Sequence, residues 1–267
     1  MAVAIALVLI VVGSVAFHVL SPWWWTQIAS HWHYVDDTLI ITFWITGIAF
    51  AAIVLFMAHC VFRYRHREGG RADYEPENKK LEWILIIVTA VGVAALLAPG
   101  LIVWNQFITV PAEATEIEVV GQQWQWSFRL PGKDGRLGKS DTLLVGSHNP
   151  LGLSANDPDG QDDLVIEGGD LHLPVGKQVK LLLRSTDVLH DFYVPQFRVK
   201  MDIVPGLVTY VWFVPIRTGK FDILCAELCG IAHAKMRGTV VVDEEAAYQA
   251  WLDKQRTFAQ MQTRAKT

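Results

Sequence analysis

The chain lacks a strong net charge, internal repeats and low-complexity tracts, and it has only three cysteines. Its formal net charge of −4 over 267 residues gives no sign of a basic surface for nucleic acid. Charged residues are scarce in the first 104 positions and frequent afterwards, while 52% of all residues are hydrophobic. This uneven distribution favours a membrane part joined to a soluble part over one large core.

Three segments without any Asp, Glu, Lys or Arg are long enough to cross a bilayer, which takes about 20 apolar residues. They are Met1–Leu20, Thr38–Phe62 and Trp83–Trp104. Indole rings favour the membrane interface, and the tryptophans near the ends of these segments are Trp23, Trp24, Trp25, Trp32, Trp83 and Trp104. We therefore predict transmembrane α-helices at about 1–20, 38–62 and 83–104, within a membrane anchor covering residues 1–110.

The first segment also has features of a cleaved signal peptide. However, no Lys or Arg precedes its apolar run, and it is longer than a usual signal core, so we expect a retained helix. The loop Arg63–Lys80 has six Lys or Arg residues, whereas Ser21–Asp37 has none. The positive-inside rule places the basic loop in the cytoplasm and everything after Trp104 on the outer face.

Residues 111–243 have the pattern of an all-β domain. Short apolar or alternating runs separated by turn residues are typical of a sandwich or barrel. The runs are Thr115–Leu130, Gln178–Leu183, Val208–Val214, Phe221–Leu224 and Gly238–Val242. Pro131–Asp163 is rich in Gly, Asp, Asn and Pro, which predicts a long surface loop with room for one short hairpin. Residues 244–267 form a tail in which Glu244–Arg264 is predicted to be helical.

The side chains with the most distinctive chemistry lie in the twelve residues Cys225–Met236. Soft sulfur ligands together with imidazole favour copper, and a methionine in the set argues against zinc. Two thiolates with three residues between them can bridge a pair of copper ions, so electron transfer is the first hypothesis. The candidate ligands in this segment are Cys225, Cys229, His233 and Met236.

Plainer explanations exist for the cysteines. A disulfide between Cys225 and Cys229 is the alternative in an oxidising compartment, although a disulfide needs neither His nor Met beside it. Cys60, in the second apolar segment, is expected to be a small buried side chain.

A binuclear site built from this segment still lacks one imidazole. His190 is the first candidate, because it follows a predicted strand whose end can meet the loop Cys225–Met236. His148 and His172 are rivals in polar, Gly-rich surroundings. Glu227 stands between the two thiols, so its carbonyl can face copper while its carboxylate faces solvent or a hard cation such as Mg²⁺.

These residues resemble the CuA centre of cytochrome c oxidase subunit II, in which Cys-x-Glu-x-Cys-Gly-x-x-His-x-x-Met follows an isolated His. Gly121–Ser127 is similar to the aromatic segment of that family, and Lys200–Gly206 resembles its Lys-x-Asp-x-x-Pro-Gly segment. The resemblance implies N-terminal transmembrane α-helices followed by an all-β cupredoxin-like sandwich or barrel with a C-terminal helix. The implied ligands of a binuclear copper centre are His190, Cys225, Cys229, His233, Met236 and the backbone carbonyl of Glu227.

The resemblance implies further roles. The Glu227 carboxylate would bind Mg²⁺ or Mn²⁺ shared with subunit I, Trp124 would be the electron entrance, and Glu82 would stand at the mouth of the K proton pathway. Otherwise Trp124 is a core residue and Glu82 an ordinary group at a membrane boundary. Acidic groups that would attract a basic cytochrome c are Asp157, Asp159, Asp162, Asp163 and Asp170.

By this resemblance the chain is the electron-input subunit of a proton-pumping terminal oxidase of the bacterial inner membrane. Its expected partners are cytochrome c, subunit I with haems and CuB, subunit III and the lipid bilayer. The alternatives are a CuA subunit of a nitric oxide reductase, a quinol-oxidase-like structural subunit and a copper-delivery protein. The chain departs from the family in its third apolar segment and in Gln125, where Tyr is common. It has no Cys-x-x-Cys-His, so it is not a fused cytochrome c form.

Overall fold

The computed structural model describes residues 1–21, 26–71, 74, 76–146 and 149–265, and the chain forms two compact units. The first unit contains Met1–Trp25 and Tyr34–Asn105, and the second contains Thr26–His33 and Gln106–Thr267. Trp23, Trp24 and Trp25, predicted to lie at the membrane interface, fall outside the described residues.

The first unit is helical. Its helices are α1 (Ala2–Leu20), α2 (His33–Arg63) and α3 (Lys79–Ile108). Among the described residues these three helices are long and apolar enough to cross a membrane. Helices α2 and α3 extend beyond the apolar segments because polar residues at their ends still satisfy the backbone. The Asn78 side chain, for example, accepts a hydrogen bond from the N–H of Leu81 in the first turn of α3.

The second unit is built around two five-stranded sheets. The strands are β1 (Thr115–Gln122), β2 (Gln125–Leu130), β3 (Leu164–Glu167), β4 (Leu171–Pro174), β5 (Val179–Ser185), β6 (His190–Val194), β7 (Val199–Ile203), β8 (Thr209–Phe213), β9 (Gly219–Cys225) and β10 (Arg237–Asp243). One sheet has the order β3-β2-β1-β5-β8 and the other β4-β10-β9-β6-β7. Apolar side chains from both sheets form the buried core of this unit. The prediction of apolar helices followed by an all-β sandwich with helix at the C-terminus is confirmed.

Several elements differ from the sequence-based expectation. The run Thr115–Leu130 is a hairpin, since β1 and β2 pair on either side of a turn at Gln123 and Trp124. No strand occurs in the described part of Pro131–Asp163, which contains only isolated bridges and one short 3₁₀ turn. The tail forms two short helices, α4 (Glu245–Leu252) and α5 (Phe258–Ala265).

The interruption between α4 and α5 has a local cause. Thr257 bridges to Leu164 at the start of β3, and the N–H of Phe258 donates to the carbonyl of Asp163 at 2.8 Å. The chain thus leaves the helical path to pair with the edge of the first sheet, and a single helix over Glu244–Arg264 is ruled out.

The connector Thr26–His33 belongs to the sandwich. Its backbone exchanges hydrogen bonds with the segment after β8, including His31 N to Val214 O at 3.0 Å and Ile216 N to Ala29 O at 2.9 Å. Trp32 is fully buried there and donates its indole N–H to the carbonyl of Trp212 at 2.9 Å. The prediction that Trp32 lies at the membrane interface is therefore wrong, because its ring fills the core of the second unit.

A buried network of charged side chains fixes the loop Pro131–Asp163 to the first sheet. Arg129 donates to Glu118 Oε2 at 2.8 Å and to Asp163 Oδ2 at 2.7 Å. Arg184 donates to the other oxygen of Glu118 at 3.0 Å. Asp163 is fully buried, so the expectation that it attracts a basic partner at the surface is wrong.

Candidate metal centre

Two neighbouring strands of the second sheet bring the predicted ligands together. His190 begins β6 and Cys225 ends β9, and these antiparallel strands pair Phe192 with Cys225. The loop from β9 to β10 then folds back through a 3₁₀ turn at His233–Lys235. The remaining candidate ligands are on this loop, so strand pairing, rather than sequence proximity, supplies the distant histidine.

The predicted donor atoms surround the two thiols. The sulfurs of Cys225 and Cys229 are 3.7 Å apart. The other donors divide between them: Cys225 Sγ is 3.9 Å from His190 Nδ1 and 3.2 Å from Glu227 O, whereas Cys229 Sγ is 3.5 Å from His233 Nδ1 and 3.8 Å from Met236 Sδ. All six predicted donor groups are thus gathered at one place.

The site suits a soft cation better than a disulfide. Both cysteines are free thiols, and their separation is far longer than a disulfide bond of about 2.05 Å. Burial, reinforced by the adjacent Cys225, raises the pKa of the Cys229 thiol to about 11. A thiophilic metal bound to both sulfurs would favour the thiolate forms, and the sulfur and imidazole donors match copper.

Asp187 orients His190 and was missed from the sequence. Its Oδ1 lies 2.8 Å from His190 Nε2, which leaves Nδ1 turned toward Cys225. Burial favours a higher pKa for Asp187, but hydrogen bonds from Gln123, His190 and Val188 outweigh burial and hold its pKa below the ordinary value. A carboxylate on the outer nitrogen of a ligand histidine fixes its tautomer and ring orientation. The spacing of three residues before His190 was the available signal.

The turn between β1 and β2 contacts the cysteine loop. Gln123 Nε2 and Trp124 Nε1 both donate to the carbonyl of Cys229, at 2.8 and 3.1 Å. Trp124 remains 36% exposed, whereas Trp126 is buried beside the His190 ring. One of these two tryptophans therefore lies at the surface and the other in the core. Gly121 lies against the same imidazole, since an added Cβ would approach its Cδ2 to 3.2 Å.

A group of charged residues lies beside Glu227. The nearest cation to its carboxylate is Lys200, with Nζ 3.9 Å from Oε1 and 3.3 Å from Asp191 Oδ2. Asp191 is fully buried, and burial, reinforced by Asp202 and opposed by Lys200, raises its pKa to about 7. The Glu227 side chain is partly exposed, so its carboxylate is accessible to a partner.

The other predicted residues lie elsewhere. Glu82 is exposed in the first turn of α3, and Cys60 is half-buried in α2. His172 is on β4, where its Nδ1 pairs with Asp243 and its ring stacks on Trp251. His148 lies outside the described residues. Among the described His, Cys, Asp and Glu residues, the one group of three placed to hold a metal is His190, Cys225 and Cys229.

A β-sandwich that follows apolar helices and carries sulfur and imidazole donors suited to copper is typical of a membrane-anchored copper protein. Comparisons with known proteins agree with this class. A profile of the family described as cytochrome c oxidase subunit II, periplasmic domain, matches residues 115–244. The alternative cytochrome c oxidase subunit 2 of Bradyrhizobium diazoefficiens is 68% identical over 97% of this chain and 94% of its own length. The cytochrome c oxidase subunit 2 of Cereibacter sphaeroides is 30% identical, over 86% of this chain and 78% of its own length.

This chain belongs to the cytochrome c oxidase subunit 2 family and is a membrane protein with a periplasmic domain. Among solved structures, it is similar to the periplasmic domain of subunit II of cytochrome oxidase (CoxB) of Bradyrhizobium japonicum. That alignment has 28% identity and a TM-score of 0.40, covering 54% of this chain and 95% of the other.

Proposed function

We propose that this chain is the electron-input subunit of a proton-pumping terminal oxidase. It accepts electrons from a cytochrome c and passes them to haem in subunit I, where oxygen is reduced to water. The observation that supports this most directly is the pair of free thiols 3.7 Å apart, each with its own imidazole nitrogen within 3.9 Å. One mononuclear site needs neither the second thiol nor the second imidazole.

The ligands of a binuclear CuA centre would be His190, Cys225, Cys229, His233, Met236 and the carbonyl of Glu227. Two copper ions held there would supply one-electron redox chemistry, with the unpaired electron shared between them. The chain's part is to keep the donor atoms fixed. His190 and Cys225 are anchored by β6 and β9, and Asp187 holds the His190 ring, so little rearrangement accompanies a change of charge.

Trp124 is the proposed electron entrance. Its ring is partly exposed, and its N–H reaches the carbonyl of Cys229, one of the residues that would hold the metals. One hydrogen bond therefore links the surface to a ligand.

Glu227 is the proposed link to subunit I. Its carbonyl faces Cys225 Sγ at 3.2 Å, while its partly exposed carboxylate is available to bind Mg²⁺ or Mn²⁺ shared with that subunit. Subunit III completes the proposed complex. Glu82, exposed at the start of α3, is the proposed entrance of the K proton pathway.

The proposed topology has three spans in a bacterial inner membrane, with Arg63–Lys80 in the cytoplasm. Hydrogen bonds between the connector Thr26–His33 and the sandwich support it, because they put this connector on the same side as the periplasmic domain. The connector contains no Lys or Arg, in agreement with the positive-inside rule.

Metal analysis and electron paramagnetic resonance of the purified oxidase complex test the proposal. We expect two coppers bound to this chain and a hyperfine pattern from one electron shared by two nuclei. Cys225→Ser should abolish electron transfer from cytochrome c while the haems of subunit I remain present. Cys60→Ser, the same substitution in α2, is the matched control and should leave both unchanged.

Two results would reject the proposal. A hyperfine pattern from a single copper nucleus would exclude the binuclear site. Full turnover with cytochrome c in Cys225→Ser would mean that electrons enter elsewhere.

The haem and metal content of the partner subunit separates an oxygen reductase from a nitric oxide reductase. A quinol-oxidase-like structural subunit would bind no copper.

A further inference from the structure

We infer that a groove between α1 and α2 binds one anionic phospholipid, whose acyl chain lies in the groove and whose phosphate pairs with Arg65. This inner groove lies where both helices approach the basic loop Arg63–Lys80, and its lining includes Met1, Ala4, Val8, Ala58 and Phe62. The inference rests on the proposed topology, in which α1 is retained and the basic loop is cytoplasmic. It is independent of the copper centre, which belongs to the other unit of the chain.

Small side chains leave this hollow between the two helices. Ala4 of α1 and Ala58 of α2 both line the inner groove and are both buried. The larger side chains of Val8 and Phe62 also line it and remain exposed. The volume is about 410 Å³, and the lining is apolar apart from His59. Because the bilayer core holds no water, an acyl chain is the expected occupant of such a hollow.

The length of the inner groove matches one leaflet of a bilayer. Its lining residues on α1 run from Met1 to Leu9, which is about 12 Å of helix. On α2 they run from Leu55 to Phe62, and Arg63 follows directly. Half of a hydrocarbon core is about 15 Å thick. A groove that begins beside Arg63 therefore ends within the same leaflet, as a lipid chain does.

The guanidinium of Arg65 lies at the end of the inner groove. Its Nη1 is 3.2 Å from Met1 Sδ, and its Cζ is 5.3 Å from the centroid of the Phe62 ring. Both Met1 and Phe62 are lining residues. A thioether and an aromatic ring carry no negative charge, so the guanidinium remains available to a phosphate, which it can bind through two parallel hydrogen bonds.

Further positive charge lies next to Arg65. Arg63 and Arg67 flank it in the chain, and all three side chains are exposed. Within the part of the chain that the structure describes, no carboxylate forms an ion pair with any of the three. Each cation close to a membrane surface strengthens binding to anionic lipid about fivefold. The charge at this end therefore favours an anionic head group over a zwitterionic one.

A second groove between the same two helices provides a comparison. This outer groove has a volume of about 470 Å³, and its lining includes Ser14 and Val19 of α1 and Phe43 of α2. The loop beyond it, Ser21–Asp37, contains no Lys or Arg. The outer groove can hold an acyl chain but has no arginine for the phosphate, so selectivity for anionic lipid is expected in the inner groove alone.

The test uses the whole purified oxidase complex and two photoactivatable lipids with a diazirine in one acyl chain. One lipid is phosphatidylglycerol, which is anionic, and the other is phosphatidylcholine, which is zwitterionic. After illumination, peptide mass spectrometry locates the label on α1 and α2. Copper content and turnover with cytochrome c are measured on the same preparations.

Two pairs of variants separate charge from shape. Arg65→Gln removes the cation at the inner groove, and Lys80→Gln is its control, because no lining residue of this groove is on α3. Val8→Trp fills the inner groove. Its control is Val12→Trp, because Val12 is an exposed residue of the same helix that lines neither groove.

We expect phosphatidylglycerol to label the peptides around Val8 and Phe62 at least about fivefold more strongly than phosphatidylcholine does. Arg65→Gln should lower labelling by phosphatidylglycerol about fivefold, and Val8→Trp should abolish labelling of the inner groove by both lipids. Lys80→Gln and Val12→Trp should behave as wild type. The outer groove should be labelled equally by the two lipids in every protein.

Four outcomes overturn the inference. They are equal labelling of the inner groove by the two lipids, equal effects of Arg65→Gln and Lys80→Gln, unchanged labelling in Val8→Trp, and no labelling by either lipid, which would mean that a protein subunit covers the groove. In all four the proposed function stands as long as the complex contains its copper and oxidises cytochrome c. A mature chain without α1 would overturn both the inference and the proposed topology.

Discussion

The indole N–H of Trp124 donates to the backbone carbonyl of Cys229 at 3.1 Å, and so a surface aromatic ring is joined by one hydrogen bond to a proposed copper ligand. Gln123 donates to the same oxygen at 2.8 Å. The turn between β1 and β2 is therefore part of the metal centre, although it contributes no ligand.

Trp124→Phe should slow electron transfer while leaving the centre intact. The substitution keeps a ring but removes the N–H, and Gln123 still binds the Cys229 carbonyl, so the loss in free energy of unfolding should be about 0.5–1.5 kcal/mol. We expect transfer from reduced cytochrome c to slow about tenfold, or about 1.4 kcal/mol in activation free energy, measured by rapid mixing. Trp251→Phe, on α4, is the control, and equal rates in the two variants would contradict the role of Trp124.

Gly230→Ala should distort the centre. The glycine has φ +117°, and a new Cβ would meet both Gln123 and Trp124. We expect a loss of about 1–3 kcal/mol in the free energy of unfolding and an altered copper spectrum. Gly135→Ala is the control, because Gly135 also has positive φ but no described atom lies within 4 Å of the added Cβ. An unchanged copper spectrum in Gly230→Ala would show that the close packing is unnecessary.

Arg129→Met should destabilise the sandwich and release the loop Pro131–Asp163. It leaves the buried Asp163 without its cation and removes one partner of Glu118, so we expect a loss of about 3–5 kcal/mol in the free energy of unfolding. Denaturant unfolding and limited proteolysis of the loop measure both effects. Lys180→Met, which breaks the exposed ion pair with Glu116, is the control and should cost at most about 1 kcal/mol. Equal losses in the free energy of unfolding for the two variants would show that burial does not strengthen the ion pairs of Arg129.

The connector Thr26–His33 should loosen in mild acid because of His31. Burial, reinforced by the nearby His33, lowers the pKa of His31 from 6.5 to about 4. Its Nδ1 accepts the N–H of Val214 at 3.0 Å, which requires that nitrogen to be unprotonated. Below pH 6.5 the unfolded chain binds a proton that the folded chain refuses, so stability falls as pH decreases from 6.5 toward 4.

Thermal unfolding of wild type and His31→Gln at neutral pH and near pH 5 measures this contribution. The variant should be less stable than wild type at neutral pH, because it loses the ring contacts with Trp32 and Trp212. Its unfolding temperature should also change less between the two pH values. An identical decrease in both proteins would assign the acid sensitivity to other groups.

Local patterns predicted the elements whose signal is contained within a short window. The apolar segments indicated α1, α2 and α3, and short apolar or alternating runs indicated β5, β8, β9 and β10. The elements that were missed are governed by distant partners. The break between α4 and α5 depends on Thr257 reaching Leu164, and the core position of Trp32 depends on Trp212, 180 residues away. No window around Trp32 distinguishes a membrane-interface indole from a core one.

The sequence by itself determined the chemistry of the centre, because two thiols, an imidazole and a thioether within twelve residues remain close in any compact loop. It also determined that the first part of the chain is apolar. Only the tertiary structure decided that β6 pairs with β9 to bring His190 to Cys225, and that Asp187 turns the His190 ring. It also decided that the buried Arg129 fixes the loop Pro131–Asp163 to the first sheet. The first and the last of these relationships join residues far apart in the chain, and strand pairing and burial, rather than composition, determine all three.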